Sequence, residues 1–218
     1  VDTWEGITMF EQLVNEVDAL PDLVIHELTK RVEKTMNTSG MFFRLFSRRK
    51  TGESVSKKIQ IKKYDEHRKL QDLFGIRIAL YFKDDITICR NLIEKSLEVD
   101  NVSEDVEDIE NFKPTRLNYV CKIPEDIQNQ IDSKFWRDYP IDNTFEIQIR
   151  TVFSEGWHEI EHDLRYKCKE DWKNESEMDR ALNGIFATLE TCDWSIITMF
   201  DTLSYKMYQN ENWKAMLR

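Results

Sequence analysis

Cysteine is scarce and poorly placed for cross-linking. Cys89, Cys121, Cys168 and Cys192 are scattered, with no CxxC pair among them. That argues against a disulfide frame or a thiolate zinc site and for reduced thiols of a cytoplasmic chain. Long apolar runs are missing too. No stretch is long enough to span a bilayer and no signal peptide precedes the first helical segment, so no membrane partner is expected. Positive charge is in deficit, with 31 Lys and Arg against 41 Asp and Glu and a net charge of -10. This disfavours non-specific duplex binding over the whole surface but leaves room for a local basic site. Internal repeats and low-complexity linkers are absent. What the chain does have is core material: hydrophobic residues make up 40% of 218 positions and aromatics 11%. That suffices for one sizeable domain with helical additions and excludes disorder.

The stretch from Phe145 to Lys167 organises the rest. Phe145, Ile147 and Ile149 alternate with Glu146, Gln148 and Arg150, the two-residue period of a strand. From Val152 the period changes: Val152, Phe153, Trp157, Ile160 and Leu164 fall at helical spacing. A strand with a carboxylate, an amide and a guanidinium on one face thus runs directly into a helix. Such a face is costly to bury and useful in an open cleft.

Other segments fall in order around it. Residues 7–36 read as helical, divided near Pro21, with Ile25, Leu28, Val32 and Met36 on one face. Asn37-Thr38-Ser39-Gly40 reads as a turn. Residues 44–69 concentrate positive charge against the global sign, which favours an anionic ligand. Ile76, Ile78, Leu80 and Phe82 alternate with Arg77, Ala79 and Tyr81 in a strand, with Asp72 in the loop before it. Asp84 is placed to cap a helix over 85–97. An acidic strand-like or loop segment follows to Asn111. Residues 117–123 alternate again, with Leu117, Tyr119 and Cys121 on one face and Asn118, Val120 and Lys122 on the other. Residues 124–143 read as irregular, with one short amphipathic piece over 127–135. The remainder, 176–214, is helical, with an apolar seam through Met178, Leu182, Ile185, Leu189, Cys192, Ile196, Leu203 and Met207.

Three motifs occur in one order: Arg48-Arg-Lys50-Thr51-Gly-Glu-Ser54-Val-Ser-Lys-Lys58, then Asp72-Leu-Phe-Gly75-Ile-Arg77, then Glu146-Ile-Gln148-Ile-Arg150-Thr151 running to Glu161-His162 and Tyr166-Lys167. Together, over about residues 44–167, they resemble the RelA/SpoT synthetase domain of the alarmone synthetases, in the organisation of its small stand-alone members or their toxic relatives. The resemblance implies an α/β (α+β), nucleotidyltransferase-like fold: a mixed sheet of about five strands flanked by helices, with long N- and C-terminal helices. It implies a helical segment over 1–43, a catalytic core over 44–172 and a helical extension over 173–218. The implied reaction is transfer of pyrophosphate from ATP to the 3'-hydroxyl of GTP or GDP, with Mg2+ as cofactor. Carried over by motif, Arg48 would stack on adenine, Lys50, Ser54 and Lys58 would meet the ATP phosphates, and Arg77 would line the same site. Asp72 and Glu146 would be the catalytic and metal-holding carboxylates, and Gln148 and Arg150 would face the acceptor.

One segment departs from the family pattern. A GYxS[LY]H stretch is expected before the last strand, and Lys113-Pro-Thr-Arg116-Leu-Asn118-Tyr119-Val stands there instead. Lys113, Arg116, Asn118 and Tyr119 are therefore the candidate acceptor contacts. By alternation Asn118 and Tyr119 cannot share a face. The departure keeps other acceptors open, such as the tRNA 3' end or adenine nucleotides, and with them a catalytically silent nucleotide-binding module. An oligomer is compatible with the sequence. His158-Glu159-Ile-Glu161-His162 also fits the HExxH zinc-protease pattern, but no third ligand follows and the same residues belong to the family's helix, so no zinc is expected.

Overall fold

The computed structural model describes residues 2–105 and 116–216, and side chains over 9–105 and 116–215. The expected acceptor contact Lys113 lies outside them. The chain begins with α1, Asp2–Asp18, and α2, Asp22–Met36. Pro21 stands between them in an extended conformation (φ -62°, ψ 132°), where its fixed φ and missing N–H cost a helix start nothing. In α2 the steps of four put Val24, Leu28, Val32 and Met36 inside. The inward face starts at Val24, with Ile25 only partly buried against the core. The turn that follows closes on Gly40, at φ 72°.

Strand β1, Phe43–Arg49, runs into α3, Gly52–Lys62. Thr51 caps α3, its hydroxyl accepting from Ser54 N at 3.3 Å. Gly52 is required at this position. A Cβ there would lie 2.4 Å from the Val14 carbonyl oxygen of α1, and its N–H donates to the Asp18 carboxylate at 2.8 Å. Then come β2, Phe74–Leu80, a 3-10 turn at Lys83–Asp85, α4, Ile86–Ser96, β3, Val99–Glu104, and β4, Leu117–Lys122. The helix expected over 85–97 thus starts one residue later, and Asp84 lies inside the 3-10 turn rather than at the cap. Two short helices, α5 at Glu125–Gln128 and α6 at Ser133–Asp138, occupy the stretch expected to be irregular. Asp132 accepts from Lys134 N at 2.9 Å to start the second.

Strand β5, Thr144–Thr151, leads without a loop into α7, Val152–Ile160, and a π-helical stretch, Glu161–Tyr166. The chain ends in α8, Ser176–Gln209, and a 3-10 turn. The five strands form one mixed sheet in the order β1-β2-β5-β4-β3. β2 and β5 pair in parallel at its centre and every other pair is antiparallel. The expected fold class is therefore the observed one.

The core lies on one face of this sheet. Ile76, Ile78, Phe145, Ile147, Tyr119 and Cys121 point into it, joined by α2, α4 and the last turns of α1. The helical stripe of 152–164 stops early. Trp157 is buried against Phe186 of α8, ring centroids 5.5 Å apart, whereas Ile160 and Leu164 are exposed. Beyond Ile160 the π turn adds a residue per turn, so the 3.6-residue step that predicted Leu164 inside no longer holds.

Candidate active site

The opposite face of the sheet carries the polar residues, and strand register places them. Arg48 of β1 lies opposite Gly75 of β2, and Gly75 opposite Glu146 of β5. One pair further along, Phe46, Arg77, Gln148 and Asn118 stand side by side across four strands. A side chain at position 75 would stand between Arg48 and Glu146, and glycine leaves that floor open. Over this face lies a cavity of about 530 Å³, within the size range of small-molecule sites. Arg48, Lys50, Asp72, Arg77, Glu146 and Gln148 all line it.

On the β1 side the charges are cationic and lightly engaged. Asp72 accepts from Lys58 Nζ at 2.5 Å and lies 3.4 Å from Lys50 Nζ. Burial alone would raise the Asp72 carboxyl, but Lys50 and Lys58 outweigh it and hold it below the usual carboxylate range. Both lysines meet Oδ2, and Oδ1 is buried with no partner among the described residues. Arg48 is exposed and pairs with no carboxylate among the described residues. Ser54 sits in the first turn of α3, its hydroxyl accepting from Thr51 Oγ1 at 2.9 Å, outside the cavity lining. Arg49 is committed to structure. Its guanidinium donates to the Val17 and Leu20 carbonyls at the end of α1, capping that helix.

On the β5 side the groups satisfy one another. Glu146 accepts from Asn118 Nδ2 at 2.9 Å and from Gln148 Nε2 at 2.7 Å. Gln148 Oε1 accepts from Arg150 at 3.1 Å, and Arg150 donates on to Glu155 Oε2 at 3.1 Å. The other oxygen of Glu155 takes Arg77 at 2.8 Å, and Arg77 also binds Glu159. Burial would lower the Arg77 guanidinium, but these two carboxylates raise it above its ordinary value. Burial lowers Arg150, which Glu155 offsets only in part. Burial, with Arg150 and Arg77 nearby, pulls His158 down to about 4. Glu159 of the HExxH pattern is therefore occupied by Arg77, and His158 is a neutral ring stacked on His162 at 6.0 Å.

Two acceptor expectations need correction. Tyr119 is fully buried on the core face, its hydroxyl donating to Glu94 Oε1 at 2.7 Å, so it offers no ring to the cavity. Its neighbours Leu117 and Cys121 are apolar, and the period of two carries the tyrosine in with them. Arg116 forms a forked pair with Asp105, Nε to Oδ2 at 2.8 Å and NH2 to Oδ1 at 3.0 Å, instead of reaching the cavity lining. Asn118 stands on the same sheet face as Gln148, and its Oδ1 is buried with no partner among the described residues.

Residues 47–171, more than half of the chain, match the family model described as the region found in RelA / SpoT proteins. The chain belongs to the RelA/SpoT family. Among solved structures it is similar to the small alarmone synthetase 1 from Bacillus subtilis, at 20% identity, TM-score 0.60, covering 93% of this chain and 98% of that one. The same Bacillus protein bound to its product pppGpp aligns at TM-score 0.59, 20% identity, over 93% of this chain and 99% of that one. A GTP pyrophosphokinase family protein from Streptococcus pneumoniae aligns at 18% identity and TM-score 0.60, over 100% and 98% of the two chains. No curated protein sequence matches.

Some residues of this RelA/SpoT site escape a reading by motif. Glu155 and Glu159 hold Arg77 from one face of α7, and their i, i+4 spacing after the strand was the available signal. Arg44 and Phe46 line the cavity from β1 by alternation with Arg48, and Phe46 is an exposed aromatic. Asp193 of α8 accepts from Thr151 Oγ1 at 2.8 Å at the head of α7, and only the fold brings it there.

Proposed function

We propose that this chain is a pyrophosphokinase that moves the β,γ-pyrophosphoryl group of ATP onto the 3'-hydroxyl of GTP or GDP. The observation that carries the proposal is the single cavity joining Arg48, Lys50, Asp72 and Arg77 to Glu146 and Gln148 in a chain of the RelA/SpoT family. The pppGpp product of the similar Bacillus synthetase supports the choice of acceptor. In the reaction the acceptor oxygen bonds to the β-phosphorus, the bond from that phosphorus to the bridging oxygen breaks, and AMP leaves. Glu146 takes the proton from the 3'-hydroxyl. Asn118 and Gln148, each donating to one of its oxygens, fix the carboxylate's plane. Lys50, Lys58 and Arg77 face the charge that develops on the transferred phosphates, and Arg48 stacks on the adenine.

The residues fit a magnesium ion. Asp72 Oδ1 is a buried carboxylate oxygen with no partner among the described residues, and Glu146 lines the same cavity. Among the described residues no group of three or more acidic, His or Cys side chains could hold a metal alone, so phosphate oxygens would complete the shell. Bound there, Mg2+ supplies charge neutralisation of the phosphates. No helix among the described residues is long and apolar enough to cross a membrane, and nucleotide substrates and reduced thiols fit a cytoplasmic enzyme.

The test is incubation with ATP, Mg2+ and, separately, GTP, GDP, AMP and deacylated tRNA, with products resolved by chromatography. AMP formed together with a pyrophosphorylated guanine nucleotide supports the proposal. Product only on AMP or tRNA assigns the same chemistry to another acceptor, and no product with any of them refutes it.

A further inference from the structure

Helix α8 buries two of its described residues, Phe186 and Asp193. Phe186 packs on Trp157, and Phe200 further along meets Phe82 edge to face at 5.6 Å. Such aromatic contacts seat the helix without help from a charge. Asp193 is nevertheless only 4% exposed, and its Oδ1 has no partner among the described residues. Burial pushes its carboxyl above the usual range, and the Thr151 hydroxyl and Lys83 recover only part of that. A leucine would fill the same space without this cost. Stability therefore does not account for an acidic residue at this point of α8.

The other carboxylate oxygen reaches the junction of β5 and α7. Thr151 Oγ1 donates to Asp193 Oδ2 at 2.8 Å and accepts from Ser154 N at 3.1 Å, capping α7. A hydroxyl has one proton and turns to suit its partners. Giving that proton to Asp193 leaves a lone pair aimed at Ser154, so Asp193 sets the cap. The turn capped in this way carries Glu155. Glu155 divides its oxygens between Arg77 at 2.8 Å and Arg150 at 3.1 Å. Arg150 in turn donates to Gln148, and Gln148 to Glu146. Packing does not fix Arg150 on the side toward α8. Arg150, Thr151 and Asp193 line a second, small cavity of about 70 Å³. With a gap there, the place of Arg150 depends on its hydrogen bonds.

We propose that Asp193 is a positioning residue for the transfer reaction. Through Thr151 it fixes the first turn of α7, and with it the Glu155 carboxylate that holds Arg77 and Arg150 in line with Gln148 and Glu146. This role rests on Glu146 acting as the base proposed above. It divides the two substrates' contacts unequally. Arg48, Lys50 and Lys58 lie on β1 and α3, outside this run of bonds, so loss of Asp193 should spare ATP binding and slow the chemical step.

Steady-state kinetics on the full chain tests this. Asp193→Ala should lower kcat by ~10–100-fold, the cost of a small misplacement of reacting groups. KM for ATP should stay within about threefold of the parent. Asp193→Leu fills the same space without the charge, and should show the same loss at undiminished stability in urea; it serves as well where Asp193→Ala does not fold. Asp193→Asn keeps an oxygen for the Thr151 hydroxyl and should restore kcat to within about threefold of the parent. Thr151→Val should lower kcat as Asp193→Ala does, and the two together should lower it no further, because they cut the same bond. Amide hydrogen exchange over residues 152–159 needs no turnover. It should quicken ~10-fold in Asp193→Leu and not in Asp193→Asn. A parent enzyme without activity would refute the assigned reaction, and unchanged exchange in Asp193→Leu would refute the positioning role on its own. So would a kcat within threefold of the parent in Asp193→Leu, equal losses in Asp193→Asn and Asp193→Leu, or losses from Asp193→Ala and Thr151→Val that multiply.

Discussion

The two sides of the cleft solve opposite problems. Toward β1 the charges outnumber their partners: two lysines share one oxygen of Asp72, and Arg48 has no carboxylate among the described residues. Toward β5 nearly every group is spoken for, in a run from Asn118 through Glu146, Gln148, Arg150 and Glu155 to Arg77. A surplus of cations suits a ligand that brings its own negative charge. A closed network suits precision, since a buried polar group left unpaired costs more than a pair gains. The β1 side thus suits the phosphates of the proposed donor, and the β5 side suits one carboxylate held still.

The largest expected effect tests whether the two sides act together. Asp72→Asn and Glu146→Gln should each reduce turnover by ~10²–10⁴-fold, with melting temperatures near that of the parent protein. Turnover within tenfold of the parent in either variant would separate that residue from the chemistry. Next in size is Glu155→Ala, which strands Arg150 in the interior and removes one of two partners from Arg77. Loss of one member of a buried pair costs about 3–5 kcal/mol, and Gln148 and Glu159 remain, so about 3 kcal/mol is expected in urea unfolding. A smaller figure comes from pH. His158 titrates near 4 in the folded chain against 6.5 in its absence, so the unfolded chain binds the extra proton between those values. Stability should therefore fall as pH drops from about 6.5 to about 4, by roughly 1–2 kcal/mol after allowing for its partial exposure. His158→Gln should flatten that slope, and an unchanged slope would assign the titration elsewhere.

On the β1 side, Arg48→Ala should weaken ATP binding by about 0.5–2 kcal/mol, the range of a cation on an aromatic face. Calorimetry would report it, and an unaltered affinity would remove Arg48 from the adenine site. The finest comparison lies within β4. Asn118→Ala should change acceptor affinity or choice. Tyr119→Phe should leave both alone and cost only about 1 kcal/mol of stability, for its bond to Glu94. Equal acceptor effects from the two would contradict the assignment of faces.

How much of this was legible depends on how local each feature is. Individual strands followed from alternation around Ile76, Tyr119 and Ile147 and helices α2 and α8 from helical steps, whereas the fold class followed from the resemblance to the family. The β1-side residues followed from one short basic motif because Arg48, Lys50 and Lys58 lie within three turns of chain. Alternation also separated Asn118 from Tyr119. It could not say which face met the core, because that depends on what β5 and α4 bring to it. Glu155 and Glu159 left only their i, i+4 spacing as a signal and Asp193 left none, since their partners Arg77 and Thr151 are distant in sequence. Arg116 was misjudged for the same reason: only the fold shows that Asp105 already holds it. The end of the helical stripe at Ile160 reflects a change of helix type that no 3.6-residue template anticipates.

The parallel pairing of β2 with β5 has a consequence for how this protein reaches its working state. Residue 74 meets residue 145, so the centre of the sheet closes only after the intervening chain has been gathered into a loop. Helices α2, α4 and α8 need contacts only a few residues apart and can form early, whereas loop closure makes this pairing slow. Gly75 reaches Glu146, and Arg77 reaches Gln148, only through that same pairing. Helical signal should therefore return ahead of nucleotide binding when the denatured chain is diluted into buffer, and the cleft should be among the last parts of the molecule to exist.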